Sequence, residues 1–224
     1  MPICIEVENL VKYFPAGGGM FSKEKRVVRA VDGVSFRIEA GKSLALVGES
    51  GCGKTTAGKL TVRLLEPTSG IVRFNGANIF DLGKERMKEI RRHIQIIFQD
   101  PTASLNPRKT VRQILSRPYV LHNIADAEDR VQDLLERVGV SPAERHIDKY
   151  PHEFSGGQKQ RLVIARAIAL HPKYIVADEP VSALDMSVRA GILNLMKRLQ
   201  EELNLALLHI THDLAVVRSL CNEV

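Results

Sequence analysis

The stretch GESGCGKT, Gly48 to Thr55, decides the fold of this 224-residue chain. It matches the phosphate-binding pattern G-x-x-x-x-G-K-[ST] in full and follows the short apolar run SLALV, which ends at a glycine as a buried parallel strand does. In such a loop backbone N–H groups surround phosphates, Lys54 reaches the β- and γ-phosphates, and the Thr55 hydroxyl ligates Mg²⁺. The nucleotide is expected to contact Gly48, Glu49, Ser50, Gly51, Cys52, Gly53, Lys54, Thr55 and Thr56.

Strands and helices alternate on both sides of this loop. Periodicity predicts strands at Ile3–Val7, Val34–Ile38, Ser43–Val47, Ile94–Gln99, Tyr174–Ala177 and Ala206–Thr211. It predicts helices over about 54–65, 110–139 and 186–203 and from Asp213 onward, and Asn75-Gly76 indicates a hairpin. The order predicts an α/β fold: a P-loop NTPase with a RecA-like parallel-sheet core, an antiparallel β portion near the N-terminus and an inserted helical subdomain. We expect one domain over residues 1–224, with the core at about 1–97 and 161–224 and the helical subdomain at about 98–160.

The composition is that of a soluble globular protein, with 44% hydrophobic and 26% charged residues. The net charge of +6 admits nucleic acid, anionic lipid or nucleotide phosphate as partners. The chain has no tryptophan and no dense Lys/Arg run with interleaved aromatics, so no nucleic-acid partner is expected. No apolar run approaches the roughly 20 residues that span a bilayer, so the protein is expected to be cytosolic or held on a membrane through a partner.

The run YIVADE places two carboxylates at the end of a predicted buried strand. Asp178 is positioned to hold Mg²⁺ directly or through water. Glu179, one residue on, points elsewhere and is a candidate base for the attacking water. Together with the phosphate loop these carboxylates predict NTP hydrolysis. Kinases, helicases and transport ATPases remain open at this point, and so do GTPases, although their Asn-Lys-x-Asp guanine reader is absent.

A second glycine-containing helix start, HEFSGGQKQR at His152–Arg161, narrows the choice. Ser155, Gly156 and Gly157 precede a predicted helix, where free N–H groups and the helix dipole favour an anion. FSGGQ resembles the signature sequence of ABC-type ATPases, usually LSGGQ, with Phe154 as the apolar residue in place of leucine.

The other motifs of that family stand in the family's order along essentially the whole chain. Gln99 follows a strand as the Q-loop residue does, SALD (Ser182–Asp185) is similar to the D-loop, and His212 is similar to the switch histidine. Phe14 lies where the family places an adenine-stacking aromatic, with Tyr13 beside it as a substitute.

The resemblance implies an ATPase that binds ATP and Mg²⁺ and couples hydrolysis to transport. Two such domains would meet head to tail, each closing over the other's ATP. The chain's own catalytic groups would be Lys54, Gln99, Glu179 and His212, and its Mg²⁺ ligands would be Thr55, Gln99 and Asp178. The residues that would contact the ATP of the partner subunit are Ser155, Gly156, Gly157, Gln158 and Asp185.

The Q-loop region RRHIQIIFQDPTASLNPRKTV resembles that of the peptide/nickel importer ATPases of the oligopeptide and dipeptide type. PAGGGMFSKEKR, predicted to be a loop at Pro15–Arg26, is more similar to the second of their two paired ATPase subunits. This implies a prokaryotic importer of oligopeptides, dipeptides or nickel chelates, with the chain peripheral at the cytoplasmic face of the cell membrane. Its partners would be a second ATPase subunit, two transmembrane permease subunits and an extracytoplasmic substrate-binding protein. The resemblance favours a homologous different chain as the second ATPase over a second copy.

Two other function classes compete with this interpretation. A soluble ABC-type ATPase acting on DNA or ribosomes would carry a long coiled-coil or zinc-bearing insertion, or a second ATPase domain, and this sequence shows neither. A binding module without catalysis is opposed by the intact Glu179, His212 and FSGGQ. The family continues past the switch histidine with another strand and a C-terminal extension, so a chain ending at Val224 is expected to be C-terminally truncated.

Overall fold

The computed structural model describes residues 2–16, 26–221 and 223–224. The strands are β1 (Ile3–Ala16), β2 (Arg26–Glu39), β3 (Ser43–Val47), β4 (Ser69–Phe74), β5 (Ala77–Asn78), β6 (Ile94–Ile97), β7 (Tyr174–Asp178) and β8 (Ala206–Thr211). The helices are α1 (Lys54–Thr61), α2 (Lys84–Ile90), α3 (Pro101–Ser104), α4 (Val111–Leu121), α5 (Ala127–Arg137), α6 (Gly156–Ile168), α7 (Met186–Leu203) and α8 (Leu214–Leu220), with 3₁₀ turns at Ala143–Arg145 and Pro151–Glu153.

The strands form two sheets of opposite kind. An antiparallel sheet has the order β2-β1-β4-β5, and a parallel sheet has the order β3-β8-β7-β6. Within the parallel sheet β8 lies between β3 and β7. The strand that pairs with β3, which leads into the phosphate loop, therefore comes from the C-terminal part of the chain. The predicted fold class, a parallel α/β core with an N-terminal antiparallel portion and inserted helices, is confirmed.

The parallel sheet separates two hydrophobic cores. Along β7, Tyr174 and Val176 face the core shared with the antiparallel sheet and α1. Ile175 and Ala177 face the core shared with the helices that include α6 and α7. Successive side chains of a strand point to opposite faces, so a buried strand covered on both faces is apolar throughout, which is why YIVA gives a continuous apolar run.

The first two strands are longer than the sequence predicted. Each spans 14 residues, and their pairing extends from Ile3 opposite Glu39 to Ala16 opposite Arg26. Register shifts interrupt the pairing at several places between Ile3 and Tyr13, and a bulge breaks the alternation of side chains on which the prediction depended. The predicted loop at Pro15–Arg26 therefore has strand at both ends, while its residues 17–25 lie outside the described residues.

The remaining elements agree with the sequence in kind and differ mainly at their ends. α7 and β8 have the predicted bounds, whereas α1 ends at Thr61 rather than Leu65. The predicted helical stretch 110–139 is divided into α4 and α5. The hairpin joins β4 and β5, with Asn75 and Gly76 both left-handed at φ 47° and 81°, as its tight turn requires.

The segment between β6 and α6 contains helices and turns in the part of the chain that the structure describes. The exact division into a core and a helical subdomain stays a prediction. No helix among residues 2–16, 26–221 and 223–224 is long and apolar enough to cross a membrane.

Candidate active site

All four parallel strands end at the same edge of their sheet, and each is followed there by residues that the sequence singled out. The phosphate loop follows β3, Gln99 follows β6, Asp178 ends β7, and His212 follows β8. Ligands of open α/β sheets bind outside the carboxyl ends of the strands, so the topology alone gathers these side chains.

The phosphate loop is held in a conformation that needs glycine. Gly51 and Gly53 have φ of 83° and 100°, and a Cβ on Gly53 would overlap the carbonyl oxygen of Ala30 in β2. Gly53 is also the residue that starts α1, and it offers that helix no side-chain cap. The first N–H groups of α1 are therefore left for a ligand.

Lys54 lies folded over this loop. Its Nζ donates hydrogen bonds to the carbonyl oxygens of Gly48 and Glu49, both at 2.7 Å. The ammonium is thereby fixed above the same N–H groups, which makes one positively polarised concavity suited to a polyphosphate.

Thr55 and Asp178 form a pair of oxygen ligands. The Thr55 hydroxyl donates to Asp178 Oδ1 at 3.0 Å, and Asp178 is buried with 4% of its surface exposed. Burial raises the pKa of this carboxyl, an effect that the hydrogen bond from Thr55 opposes. A buried carboxylate beside a hydroxyl fits Mg²⁺, which prefers hard oxygen ligands and would relieve the cost of burying the negative charge.

Glu179 is the centre of the predicted catalytic group. One carboxylate oxygen accepts a hydrogen bond from Gln99 Nε2 at 3.0 Å, and the other lies 3.0 Å from His212 Nδ1. Its backbone is left-handed, with φ 45°, which is uncommon for a residue other than glycine and costs conformational energy. With this backbone conformation the Glu179 side chain lines the open cleft, whereas that of Asp178 contacts Thr55. The two neighbouring carboxylates therefore lie in different surroundings.

Lys54, Thr55 and Glu179 line one open cleft of about 550 Å³, whereas Asp178 lines a neighbouring pocket that shares Thr55 and Gln99 with it; Gly48 and Cys52 are not among the described residues that line either. The residues that line the cleft are Val28, Arg29, Ala30, Glu49, Ser50, Gly51, Gly53, Lys54, Thr55, Thr56, Gln99, Glu179 and His212. The structure thus brings together most of the residues predicted to serve the chain's own nucleotide. Their roles in binding and hydrolysis stay predictions.

Sequence reasoning missed the wall of the cleft that β2 supplies, at Val28–Ala30. Nothing in the local sequence marks these residues, because they reach the cleft only through the approach of β2 to the phosphate loop. The predicted adenine-stacking residues Phe14 and Tyr13 are not among the described residues that line this cleft. Tyr13 donates to Asp32 Oδ1 at 2.5 Å, and Phe14 lies under the ammonium of Lys12, 5.1 Å from its ring centroid.

The FSGGQ segment lies apart from this cleft. Ser155 caps α6 by accepting a hydrogen bond from the Gln158 N–H at 3.3 Å, while Gln158 Oε1 accepts from the Ser155 N–H at 3.0 Å. Ser155 and Gly156 are exposed, and a Cβ on Gly157 would overlap Val188 Cγ1 of α7. Gln158, Ser155 and both glycines are therefore not part of the site that the same chain builds around Lys54.

Asp185 starts α7 and is exposed, and its side chain makes no capping hydrogen bond. Gly156 packs near Leu184, so the FSGGQ helix start and the loop before α7 form one continuous surface. The sequence predicted that both segments face a partner's nucleotide, and the structure places them side by side.

Comparisons with known proteins find similarity to one family. A protein-family model described as "ABC transporter" matches residues 31–182. The oligopeptide transport ATP-binding protein AppF of Bacillus subtilis is 50% identical over 224 residues, which cover 98% of this chain and 68% of that protein. The dipeptide transport ATP-binding protein DppF of Haemophilus influenzae is 50% identical over 219 residues, 96% of this chain and 66% of that one.

Among solved structures, a dimeric ATP-binding cassette in a post-hydrolysis state bound to ADP and phosphate is 29% identical, with a TM-score of 0.82. The match covers 96% of this chain and 90% of the cassette. The chain spans about two thirds of the length of the two curated relatives.

Proposed function

The chain belongs to the ABC transporter family, and on that premise we propose that it is the ATP-binding subunit of a peptide importer. The observation that carries the proposal is the single cleft in which Lys54, Thr55 and Glu179 meet Gln99 and His212. Relatives about 50% identical, named for oligopeptide and dipeptide transport, support the transport function over a soluble ATPase acting on DNA or ribosomes.

ATP hydrolysis would use the two carboxylates differently. Thr55 and Asp178 would hold Mg²⁺, with Gln99 as the further ligand that the family resemblance implies. The bound ion would neutralise charge on the β- and γ-phosphates. Lys54 would neutralise the charge that develops on the transferred phosphoryl group. Glu179 would accept a proton from, or orient, the attacking water, with His212 beside it to contact the γ-phosphate.

The two hydrogen bonds to the Glu179 carboxylate compete with the attacking water. Gln99 and His212 contact one oxygen each, so a water would gain a free carboxylate oxygen once at least one of them turns to the nucleotide. We therefore infer that this arrangement is a resting one, and that ATP with Mg²⁺ draws Gln99, His212 or both away from the base.

Hydrolysis would require a second ATPase subunit. The FSGGQ helix start lies on the surface of the chain, outside its own nucleotide cleft, and would bind an anion there. A head-to-tail pair would place the Ser155–Gln158 segment of each chain over the γ-phosphate held by the other, with Asp185 beside it. The dimeric form of the related cassette supports such a pair. A homologous different chain remains the favoured partner, with a second copy as the alternative.

The transmembrane permease subunits would dock beside α4. A groove of about 910 Å³ runs there, lined by the cations Lys88, Arg91, Lys109, Arg117 and Arg166 and by the apolar side chains of Ile114, Pro118, Val120, Leu121 and Leu170. Its lining among the described residues includes no carboxylate. We propose that it receives a cytoplasmic segment of the permease that is apolar on one face and carries acidic residues. The neighbouring pocket shares Ser104 and Arg166 with this groove and includes Gln99, so docking would reach the nucleotide site through α3.

Substrates would be oligopeptides or dipeptides, with nickel chelates as the alternative, delivered by an extracytoplasmic substrate-binding protein. The chain would be peripheral at the cytoplasmic face of a prokaryotic cell membrane.

Uptake in cells tests the proposal. A strain lacking this chain should lose uptake of labelled di- and oligopeptides and regain it with the wild-type gene. Lys54→Ala should fail to restore uptake, because the phosphate loop loses its cation, whereas Lys197→Ala, at an exposed lysine of α7, should restore it fully. Uptake of nickel instead of peptides would change the substrate class, and normal uptake of both without the chain would refute the proposal.

A further inference from the structure

One arginine joins the two loops that meet at the catalytic carboxylate. Arg189 belongs to the first turn of α7, three residues after the helix begins. One guanidinium nitrogen lies 3.1 Å from Oδ2 of Asp213, the residue that follows His212 in the sequence. Another donates to the carbonyl oxygen of Leu184 at 3.3 Å, in the loop before α7.

Both loops meet at Glu179. The first begins there, and its turn is closed by the Ser182 N–H and hydroxyl, which donate to the Glu179 carbonyl oxygen at 3.3 and 3.1 Å. The second loop brings His212 Nδ1 to 3.0 Å from Glu179 Oε1. Because Arg189 holds a point on each loop, a shift of one loop is passed to the other through a single planar group.

The first loop and the start of α7 also contact the beginning of the FSGGQ helix, α6. Leu184 packs near Gly156, and Val188, the residue before Arg189, lies where a Cβ on Gly157 would have to go. The contact sequence is therefore continuous from α6, through Leu184 and α7, to the guanidinium and then to His212.

We propose that Arg189 is a positioning residue for ATP hydrolysis, which holds His212 and Glu179 in register and couples them to the surface formed by Leu184 and Gly156. This inference rests on the proposed ATPase function. Arg189 lines neither the nucleotide cleft nor the groove beside α4, as far as the described residues show, so it acts through the two loops.

A merely structural role gives a different expectation. The side chains of Arg189 and Asp213 are 29% and 31% exposed, and ion pairs of that exposure contribute little to stability. Loss of the pair should therefore leave folding almost unchanged, while misplacement of catalytic groups by about 1 Å can cost on the order of a hundredfold in rate.

The test uses the full chain assembled with its partner ATPase and permease subunits, and measures substrate-stimulated ATP hydrolysis. Arg189→Gln is expected to lower kcat by about ten- to a hundredfold, with KM for ATP changed by less than about twofold. Arg189→Lys keeps one charge without the fork and should fall between the variant and the wild type. The matched control is Arg198→Gln on the same helix, where an arginine also binds a backbone carbonyl, that of Arg137, and pairs with Glu202. It should leave kcat unchanged.

A double-mutant cycle keeps the proposal open to refutation even if one variant folds poorly. Asp213→Asn should lower kcat as Arg189→Gln does, and the double variant should be no slower than the slower single variant, because both changes break one link. Unchanged kcat in either single variant would overturn the proposal, as would independent, multiplying effects in the double variant or an equal loss in Arg198→Gln. A wild-type assembly without ATPase activity would instead refute the proposed function, before any variant is compared.

Discussion

The chain contains two glycine-rich helix starts, at α1 and at α6, and they differ in how they are capped and in what surrounds them. At α1 the capping residue is Gly53, in a left-handed conformation with no side-chain cap. At α6 the cap is Ser155, in a complete capping box with Gln158. The first is surrounded by the cation and carboxylates of its own chain, whereas the second packs on the apolar Leu184 and Val188 and leaves Ser155 exposed.

The difference explains how one domain could carry the two proposed anion sites without redundancy. An uncapped helix start lined by its own catalytic groups can hold a nucleotide and its metal. A self-capped, exposed helix start with no catalytic group in reach supplies only a fixed dipole and N–H groups, so it contributes once something else delivers the phosphate.

Glu179→Gln should have the largest effect, since it removes the proposed base from the α1 site. We expect turnover by the assembled ATPase to fall by about 10²- to 10⁴-fold, while ATP binding survives because the phosphate loop, Thr55 and Asp178 are untouched. Single-turnover hydrolysis and equilibrium binding of a fluorescent ATP analogue measure the two quantities separately.

The matched control is Glu144→Gln, an exposed glutamate on a 3₁₀ turn distant in the chain, which should leave both quantities unchanged. If Glu179→Gln hydrolyses ATP at the wild-type rate, Glu179 is not the base, and the α1 site does not supply the base from this carboxylate.

Ser155→Arg should separate the two helix starts. The isolated chain should bind ATP with unchanged affinity, because Ser155 does not line its own cleft. The assembled complex should lose nearly all hydrolysis, because a long cation at the cap fills the space over the partner's γ-phosphate and breaks the capping box.

Glu144→Arg introduces the same side chain at an exposed position and should leave hydrolysis intact. Weakened ATP binding by the isolated Ser155→Arg chain would mean that the α6 start serves the chain's own nucleotide, contrary to the composite site.

Alanine at three glycines should grade the two helix starts by stability. Gly53→Ala should cost the most, about 3 kcal/mol or more, because φ is 100° and the new Cβ meets the backbone of Ala30. Gly157→Ala should cost about 1–3 kcal/mol, since Val188 must shift. Gly156→Ala should change stability by less than about 1 kcal/mol, because its Cβ would lie 3.6 Å from Leu184 Cδ2, an ordinary contact.

Urea unfolding of the three variants gives the order directly. Equal costs at Gly156 and Gly157 would show that the α6 start is looser than described, and a mild Gly53→Ala would show the same for the phosphate loop.

The sequence predicted the chemistry of the cleft better than its walls. Lys54, Asp178 and His212 could be placed because each lies at or just after the carboxyl end of a parallel strand, where topology brings strand ends together regardless of loop detail. Val28–Ala30 could not be found, because they meet the phosphate loop through tertiary packing that leaves no local pattern. The full length of β1 was hidden by its bulges. The Arg189 link was also invisible, since it joins residues 24 apart by side-chain geometry alone.

The strand that leads to His212 also predicts a modest pH dependence of the stability of the chain. β8, which leads to His212, contains His209 fully buried, and neither ring nitrogen has a hydrogen-bond partner among the described residues. Burial lowers the pKa of His209 to about 4. The unfolded chain, with a pKa near 6.5, takes up the proton first, so the associated stability is fully present above about pH 6.5 and is lost as the pH falls towards 4. At pH 5.5 the loss should be about 1 kcal/mol relative to pH 7.5.

His209→Leu should remove that loss and unfold at the same or higher urea concentration at pH 7.5, whereas the exposed His152→Leu should retain the full acid sensitivity. An identical pH dependence in wild type and His209→Leu would mean that His209 does not contribute to the acid sensitivity, and that the acid response of the chain arises elsewhere.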